Sequence, residues 1–260
     1  LTQWVDTLVT TMEQMAYIDF TLARAVLAEA WSLVSPTHAG GRRGLQQLVN
    51  PRLKQHHEAL GLRYQPVDID LTEGVTLVTG ANMAGKTVLL KSVGTAQLMY
   101  QFGFLVPCYQ AVMEPVEDVV FCIGDEQNEM NGLSSFAAEI TRISDVVRRS
   151  REERLLVLID EPARTTNPIE GKALVQSIAT LMQSRSSLTL ITTHYSQLGV
   201  ACRRLRVKGF VEEMVDMPLT AQNINRFIDY SLIPDESDEV PQEALRIAEL
   251  LSCDPDLIAT

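Results

Sequence analysis

Apolar residues run without interruption in one stretch of the chain, Leu155-Leu-Val-Leu-Ile159, which ends in Asp160-Glu161. Such a run fits a strand buried on both faces of a parallel sheet. Leu188-Thr-Leu-Ile-Thr-Thr193 is a second buried-strand pattern, and Val75-Thr-Leu-Val-Thr79 is a shorter β-rich run that stops at Gly80. Further strands are expected over 64–70 and 116–123. Three- and four-residue apolar spacing predicts helices over 86–102, 134–149 and 169–183. The first 35 residues are also helical in pattern, with Met15, Leu22, Val26 and Ala30 recurring on one side. Residues 36–44 contain Pro36, Gly40, Gly41 and Gly44 and read as a loop. The tail ends in a helix that places Ala244, Ile247, Ala248 and Leu251 together. Strands alternating with helices imply an α/β fold with a parallel sheet.

Composition narrows this little, and charge narrows it more. The chain has 260 residues, 46% hydrophobic and 21% charged, enough for one large domain or one domain with a helical appendage. Its net charge of -11 disfavours sequence-independent nucleic-acid binding by this chain alone. A nucleotide is a different case, because backbone N–H groups, one lysine and Mg²⁺ hold it locally. Cys108, Cys122, Cys202 and Cys253 are scattered, which argues against a zinc site or a disulfide framework and fits a reducing, cytoplasmic setting. No apolar run approaches the roughly 18 residues of a membrane span, so no membrane partner is expected. The chain opens on Leu1 with no initiator Met and no signal-peptide pattern, and we expect a fragment of a longer protein.

The candidate chemistry begins at Gly80-Ala-Asn-Met-Ala-Gly85-Lys86-Thr87, which matches G-x-x-x-x-G-K-[ST] throughout. Glycines let such a backbone curl round phosphates, and the helix that follows aims its positive N-terminus at them. Lys86 would reach the β- and γ-phosphates of ATP, and the Thr87 hydroxyl would coordinate Mg²⁺. Asp160 and Glu161 close the apolar strand. One carboxylate there can hold Mg²⁺ and its neighbour can polarise water, though a solvated strand-end pair is the plainer alternative. His194 follows the last buried strand and could contact a γ-phosphate or its attacking water, or could simply be exposed. Ser134 and Ser135 could be helix caps or an anion-binding helix start offered to a nucleotide in a second subunit. Arg203, Arg204, Arg206 and Lys208 form a basic cluster, either a solvated face or a nucleic-acid contact. His38, His56 and His57 have no partner pattern and read as surface residues.

Four blocks, in order, carry a resemblance to the C-terminal ATPase domain of MutS-type mismatch-repair proteins from about Asn50 onward. Thr79–Thr87, with its Asn82-Met83 pair, resembles the family's Walker A loop. Gly132-Leu-Ser-Ser-Phe-Ala-Ala-Glu139 resembles its signature segment, Leu156–Glu161 its Walker B strand, and Thr193-His-Tyr195 its switch motif. The resemblance implies a P-loop NTPase of the ABC-like kind, with a mostly parallel central sheet flanked by helices and with helical segments at both ends. The divisions it implies are a helical lead-in over 1–49, an ATPase domain over 50–218 and a dimerising tail over 219–260. Gly80, Ala81, Asn82, Met83, Ala84, Gly85, Lys86, Thr87 and Val88 would cradle ATP. Thr87 and Asp160 would serve Mg²⁺, Glu161 would activate water with Lys86 opposite, and His194 would sense the γ-phosphate. Tyr64 and Val67 lie where the family stacks adenine. Ser134 and Ser135 would complete a partner's site in a homodimer with composite ATP sites.

Departures from the family pattern matter too. Ala163-Arg-Thr-Thr-Asn167 stands where the family has Gly-Arg-Gly-Thr, and Asp160-Glu161-Pro162 resembles transporter ATPases, yet no Leu-Ser-Gly-Gly-Gln signature is present. The mismatch-reading part is absent, so a DNA partner stays open but not through this chain alone. A protein client is the alternative: the tail resembles a short family member that reactivates cobalamin-dependent aminomutases.

Overall fold

Hydrophobic patterning and burial coincide most closely in the middle of one sheet. The structure, a computed structural model, describes residues 4–38, 43–81, 84–124, 135–215, 217–220, 223–236, 244–251 and 254. In chain order the elements are α1 (Val5–Trp31), β1 (Gly44–Leu48), α2 (Pro51–Ala59), β2 (Val67–Asp70), β3 (Gly74–Thr79), α3 (Lys86–Gln101), β4 (Gln110–Val112) and β5 (Asp118–Cys122). There follow α4 (Ser135–Arg149), β6 (Leu155–Asp160), α5 (Pro168–Gln183), β7 (Leu188–Thr192), β8 (Arg203–Phe210), β9 (Ile228–Pro234) and α6 (Ala244–Leu250).

The main sheet has six strands in the order β5-β6-β7-β3-β8-β9. All neighbours pair in parallel except β8 and β9. β3 and β7 are buried along their whole length, as is β6 up to Asp160. Their pleat sends alternate residues into two cores. On one face Leu156, Leu158, Leu188 and Leu190 pack with Leu90 and Val93 of α3 and with a small antiparallel sheet, β2-β1-β4. On the other, Leu155, Val157, Ile159 and Ile191 pack with Ile143 and Val146 of α4 and with Val175, Ile178 and Met182 of α5. Each such side chain contributes about 1.5–3 kcal/mol when fully buried. The α/β fold with a mostly parallel sheet flanked by helices is therefore as expected.

The predicted helices and buried strands recur within a few residues of their expected limits. The N-terminal helix stops at Trp31 because Ser32 turns left-handed (φ 52°) and its N–H closes onto Ala28 and Glu29 carbonyls. Unassigned by pattern were β1, α2, β4, β8 and β9. β1 lies inside the expected 1–49 lead-in yet pairs with β2 and β4. β9 lies beyond the expected limit at 218 yet pairs with β8 in the main sheet. The basic cluster Arg203–Lys208 is β8, whose Leu205 and Val207 face the core.

α1 buries none of its residues. Among its contacts with the sheet domain is an edge-to-face contact of Phe20 with Phe104, with the Arg24 guanidinium lying over both rings. No helix among the described residues is long and apolar enough to cross a membrane.

Gly94 sets how closely α3 can approach the sheet. A Cβ there would lie 2.2 Å from Phe121 Cζ and 2.6 Å from Leu158 Cδ1. Alanine is the better helix former by about 1 kcal/mol, but overpacking a core costs about 1–3 kcal/mol. Gly94→Ala should therefore lower stability by urea denaturation, and an equal or raised midpoint would show that α3 has room to move.

Candidate nucleotide-binding site

The loop after β3 is shaped by two glycines. Gly80 (φ 143°) and Gly85 (φ 72°) adopt backbone conformations that side chains disfavour. A Cβ on Gly80 would also press to 3.2 Å from Val207, and one on Gly85 to 3.3 Å from the Tyr230 ring. Between them the Ala84 N–H closes a turn onto the Ala81 carbonyl at 3.0 Å. Gly85 is the N-cap of α3, which has neither a side-chain cap nor an acidic residue in its first turn. The positive end of α3 is thus left for an outside anion. Asn82 and Met83 lie outside the described residues.

Lys86 is only 3% exposed. Its Nζ donates to the carbonyls of Gly80 (2.7 Å) and Ala81 (3.0 Å) and sits 3.2 Å from Glu161 Oε1. The Thr87 hydroxyl donates to Asp160 Oδ2 at 2.6 Å, and Thr192 donates to Asp160 Oδ1 at 2.6 Å. The Glu161 N–H in turn donates to Thr192 Oγ1 at 2.9 Å. Val88 stands half-buried in the first turn of α3, where its carbonyl accepts from the Ser92 hydroxyl.

The sheet order explains this convergence. β7 lies between β6 and β3, and the register aligns Asp160 with Thr192 and Thr192 with Val78. The loop and the acidic pair therefore leave the sheet at one level, about 75 residues apart in the chain. The Thr87 hydroxyl and the Asp160 carboxylate supply oxygens of the kind that could hold a hard divalent cation such as Mg²⁺. The uncapped α3 terminus and the buried ammonium suit a polyphosphate. Chemically, the arrangement can neutralise phosphate charge beside a carboxylate able to orient water.

His194 is exposed at the end of β7, its ring tilted against Tyr195 at 4.3 Å. Among the described residues, no hydrogen bond links it to Lys86 or Glu161. Ser134 lies outside the described residues; Ser135 opens α4, and its side chain is likewise undescribed. Tyr64 accepts from the Asn50 N–H at 2.8 Å and sets its ring edge against His57, and burial pushes its hydroxyl pKa up. Val67 begins β2 and packs on the core beside the small sheet. The connection from this segment to the loop runs through β9. Gln65 donates to Asp229 and Ser231 and accepts from the Tyr230 N–H, and Tyr230 in turn lies against Gly85.

Sequence reasoning gave no role to Thr192, Tyr230 or Asp235. Asp235 is buried and accepts from Thr79 at 3.1 Å, just ahead of the loop. A hydroxyl at the end of a strand that neighbours two motif-bearing strands was the available signal for Thr192. Three of the four residues of the basic cluster are engaged internally: Arg203 pairs with Asp70, Arg204 donates to the Val200 carbonyl, and Lys208 pairs with Asp229.

The description MutS domain V matches residues 76–250 of this chain. The chain belongs to the MutS family. Among curated MutS relatives, the Endonuclease MutS2 of Agathobacter rectalis is 34% identical over 196 residues, 72% of this chain and 23% of its own length. That of Shouchella clausii is 34% identical over 204 residues, 76% of this chain and 25% of its own. That of Symbiobacterium thermophilum is 35% identical over 211 residues, 78% and 25%. The chain thus spans about a quarter of the length of these relatives. The domain V match takes in β3 from Thr76, the loop, β6 and β7, and continues through β8, β9 and α6.

Burial pushes the Asp229 carboxyl up, but hydrogen bonds from Lys208, Ser231 and Gln65 outweigh it and hold it well below the usual carboxylate range. A depressed folded-state pKa adds stability above the unfolded value of about 3.9, and that stability is lost as pH falls towards the folded value. Asp229→Asn should therefore melt below the parent at neutral pH, with the gap closing in strong acid. A gap constant down to pH 3 would rule out this linkage.

Proposed function

We propose that this MutS domain V binds Mg-ATP at the loop from Gly80 and hydrolyses it as a nucleotide-switched homodimer serving DNA mismatch repair. The observation that carries the reading is the meeting of Lys86, Thr87, Asp160 and Glu161 at the ends of β3 and β6. Lys86 and the α3 N-terminus would neutralise charge on the transferred phosphate, which is where phosphoryl transfer needs stabilisation. Thr87 and Asp160 would hold Mg²⁺, which would supply further charge neutralisation there. Glu161 would orient a water and accept its proton. His194, exposed beside the site, would report the γ-phosphate, and Ser134 and Ser135 would complete the site of a partner subunit. Tyr64 and Val67 are the adenine-side candidates, acting with β9. ATP would then tighten the dimer through contacts made only with the γ-phosphate.

A second reading keeps the same engine and exchanges DNA for a protein client. It is favoured by the net charge of -11 and by the engagement of Arg203 and Lys208 with Asp70 and Asp229.

Phosphate release from Mg-ATP should fall about 100-fold or more in Lys86→Ala, the scale of losing a preorganised charge at the reacting group. Glu161→Gln should bind ATP like the parent while turning over at background; parental turnover would remove Glu161 as the base. Stimulation of parental turnover by mismatched duplex would favour the repair reading over the protein client, while indifference of this chain to DNA fits either reading. In light scattering, ATP should shift Glu161→Gln towards dimer, and an unchanged mass would sink the coupling.

A further inference from the structure

The turn that follows Glu161 is strained, and two distant side chains hold it in place. Glu161 (φ 44°) and Ala163 (φ 61°) both adopt left-handed backbone without being glycine. Such backbone is costly for a residue that carries a Cβ and persists where its surroundings over-determine it. Ala163 is fully buried. Its N–H donates to Glu139 Oε1 on α4 at 3.3 Å, and its carbonyl accepts from the Tyr195 hydroxyl at 3.4 Å. The position of Tyr195 is bounded by Gly171 of α5, where a Cβ would lie 2.2 Å from the Tyr195 hydroxyl oxygen and 3.1 Å from the Ala163 carbonyl. Tyr195 is itself tied back, its N–H donating to the Thr193 hydroxyl at 3.0 Å. Upstream, the Glu161 N–H is fixed on Thr192.

We propose that Glu139 and Tyr195 are positioning residues that clamp Ala163 from opposite sides and so hold Glu161 in its left-handed, reactive orientation. Neither touches the Lys86–Asp160 cluster; both act through the backbone of one buried alanine. Burial raises the Glu139 carboxyl pKa and the Ala163 N–H opposes this, as fits a carboxyl placed inside for one backbone contact. Glu139 lies on α4 as the last residue of the segment Gly132–Glu139, and Tyr195 closes the segment Thr193–Tyr195 directly after His194. The clamp thereby joins the two segments proposed to respond to nucleotide and partner to the carboxylate proposed to activate water. This inference rests on the reading of Glu161 as that carboxylate.

The test uses the whole 260-residue chain. Glu139→Ala should lower kcat for Mg-ATP about tenfold, the rate equivalent of one hydrogen bond, with KM within about twofold. Glu139→Gln, which keeps the acceptor oxygen, should restore kcat, and Tyr195→Phe should give a smaller loss of the same kind. Hydrogen exchange at the Ala163 amide should speed about tenfold in Glu139→Ala and stay near parental in Glu139→Gln. Parental kcat and parental exchange in Glu139→Ala would overturn the clamp. So would a joint fall of kcat, ATP affinity and melting temperature that Glu139→Gln does not restore, the signature of a merely structural role. A parent without turnover would overturn the hydrolysis reading, and the exchange rate at Ala163 would still decide whether the clamp exists.

Discussion

The Asp160 carboxylate accepts from Thr87 on one oxygen and from Thr192 on the other, each at 2.6 Å. Hydroxyl-to-carboxylate bonds of that length belong to the stronger class of hydrogen bond. Here they join three elements that the chain reaches at widely separate points: the start of α3, the end of β6 and the end of β7. Because β7 stands between β6 and β3, the loop and the acidic pair are a full strand apart, and Thr192 fills that gap. The register then does the rest, since Asp160, Thr192 and Val78 lie abreast. Ligand sites of open α/β sheets form outside the carboxyl ends of the strands for this reason.

The strands that carry the site were the most legible part of the chain. β6 and β7 are enclosed by helices on one face and by α3 with the small sheet on the other, so their residues must be apolar or internally satisfied hydroxyls. β1, β4, β8 and β9 obey a different constraint. β1 reads Gly-Leu-Gln-Gln-Leu, with a register irregularity between Leu45 and Leu48 that breaks strict alternation. β8 buries alternate residues, but the charges at Arg203, Arg204, Arg206 and Lys208 are the louder signal along the chain. Their partners, Asp70 and Asp229, come from distant segments, and no local pattern announces them. The same holds for the site: motif residues stood out by spacing, whereas Tyr230 and Asp235 matter through an edge strand that pattern did not find.

Two opposite demands meet at the end of β6. A carboxylate proposed to orient water has to be aimed, and extended backbone aims successive side chains to opposite faces of the sheet. Left-handed geometry at Glu161 breaks that alternation at a cost in backbone energy. The cost is sustained because the elements around the turn are already fixed by the two cores, so contacts such as Thr192 to the Glu161 N–H come from groups with little freedom left to lose. A site on a loop without such neighbours would relax instead.

The acid balance of the whole chain and the local charges of the site act over different distances. At physiological ionic strength the Debye length is about 8 Å, so exposed carboxylates farther away act weakly on the loop. Within that range the loop has a buried ammonium at Lys86 and the uncapped start of α3. Glu161, 3.2 Å from Lys86, and Asp160, hydrogen-bonded to Thr87, are the nearest opposing charges, and a divalent cation held beside them would tip the balance towards a polyphosphate. A triphosphate, which fits inside one Debye length, meets this local field. Duplex DNA extends over many such lengths and meets the summed surface instead, where the net charge of -11 opposes it. An ATP site on this chain therefore needs no basic surface, whereas DNA engagement requires cationic surface beyond what these 260 residues present on balance.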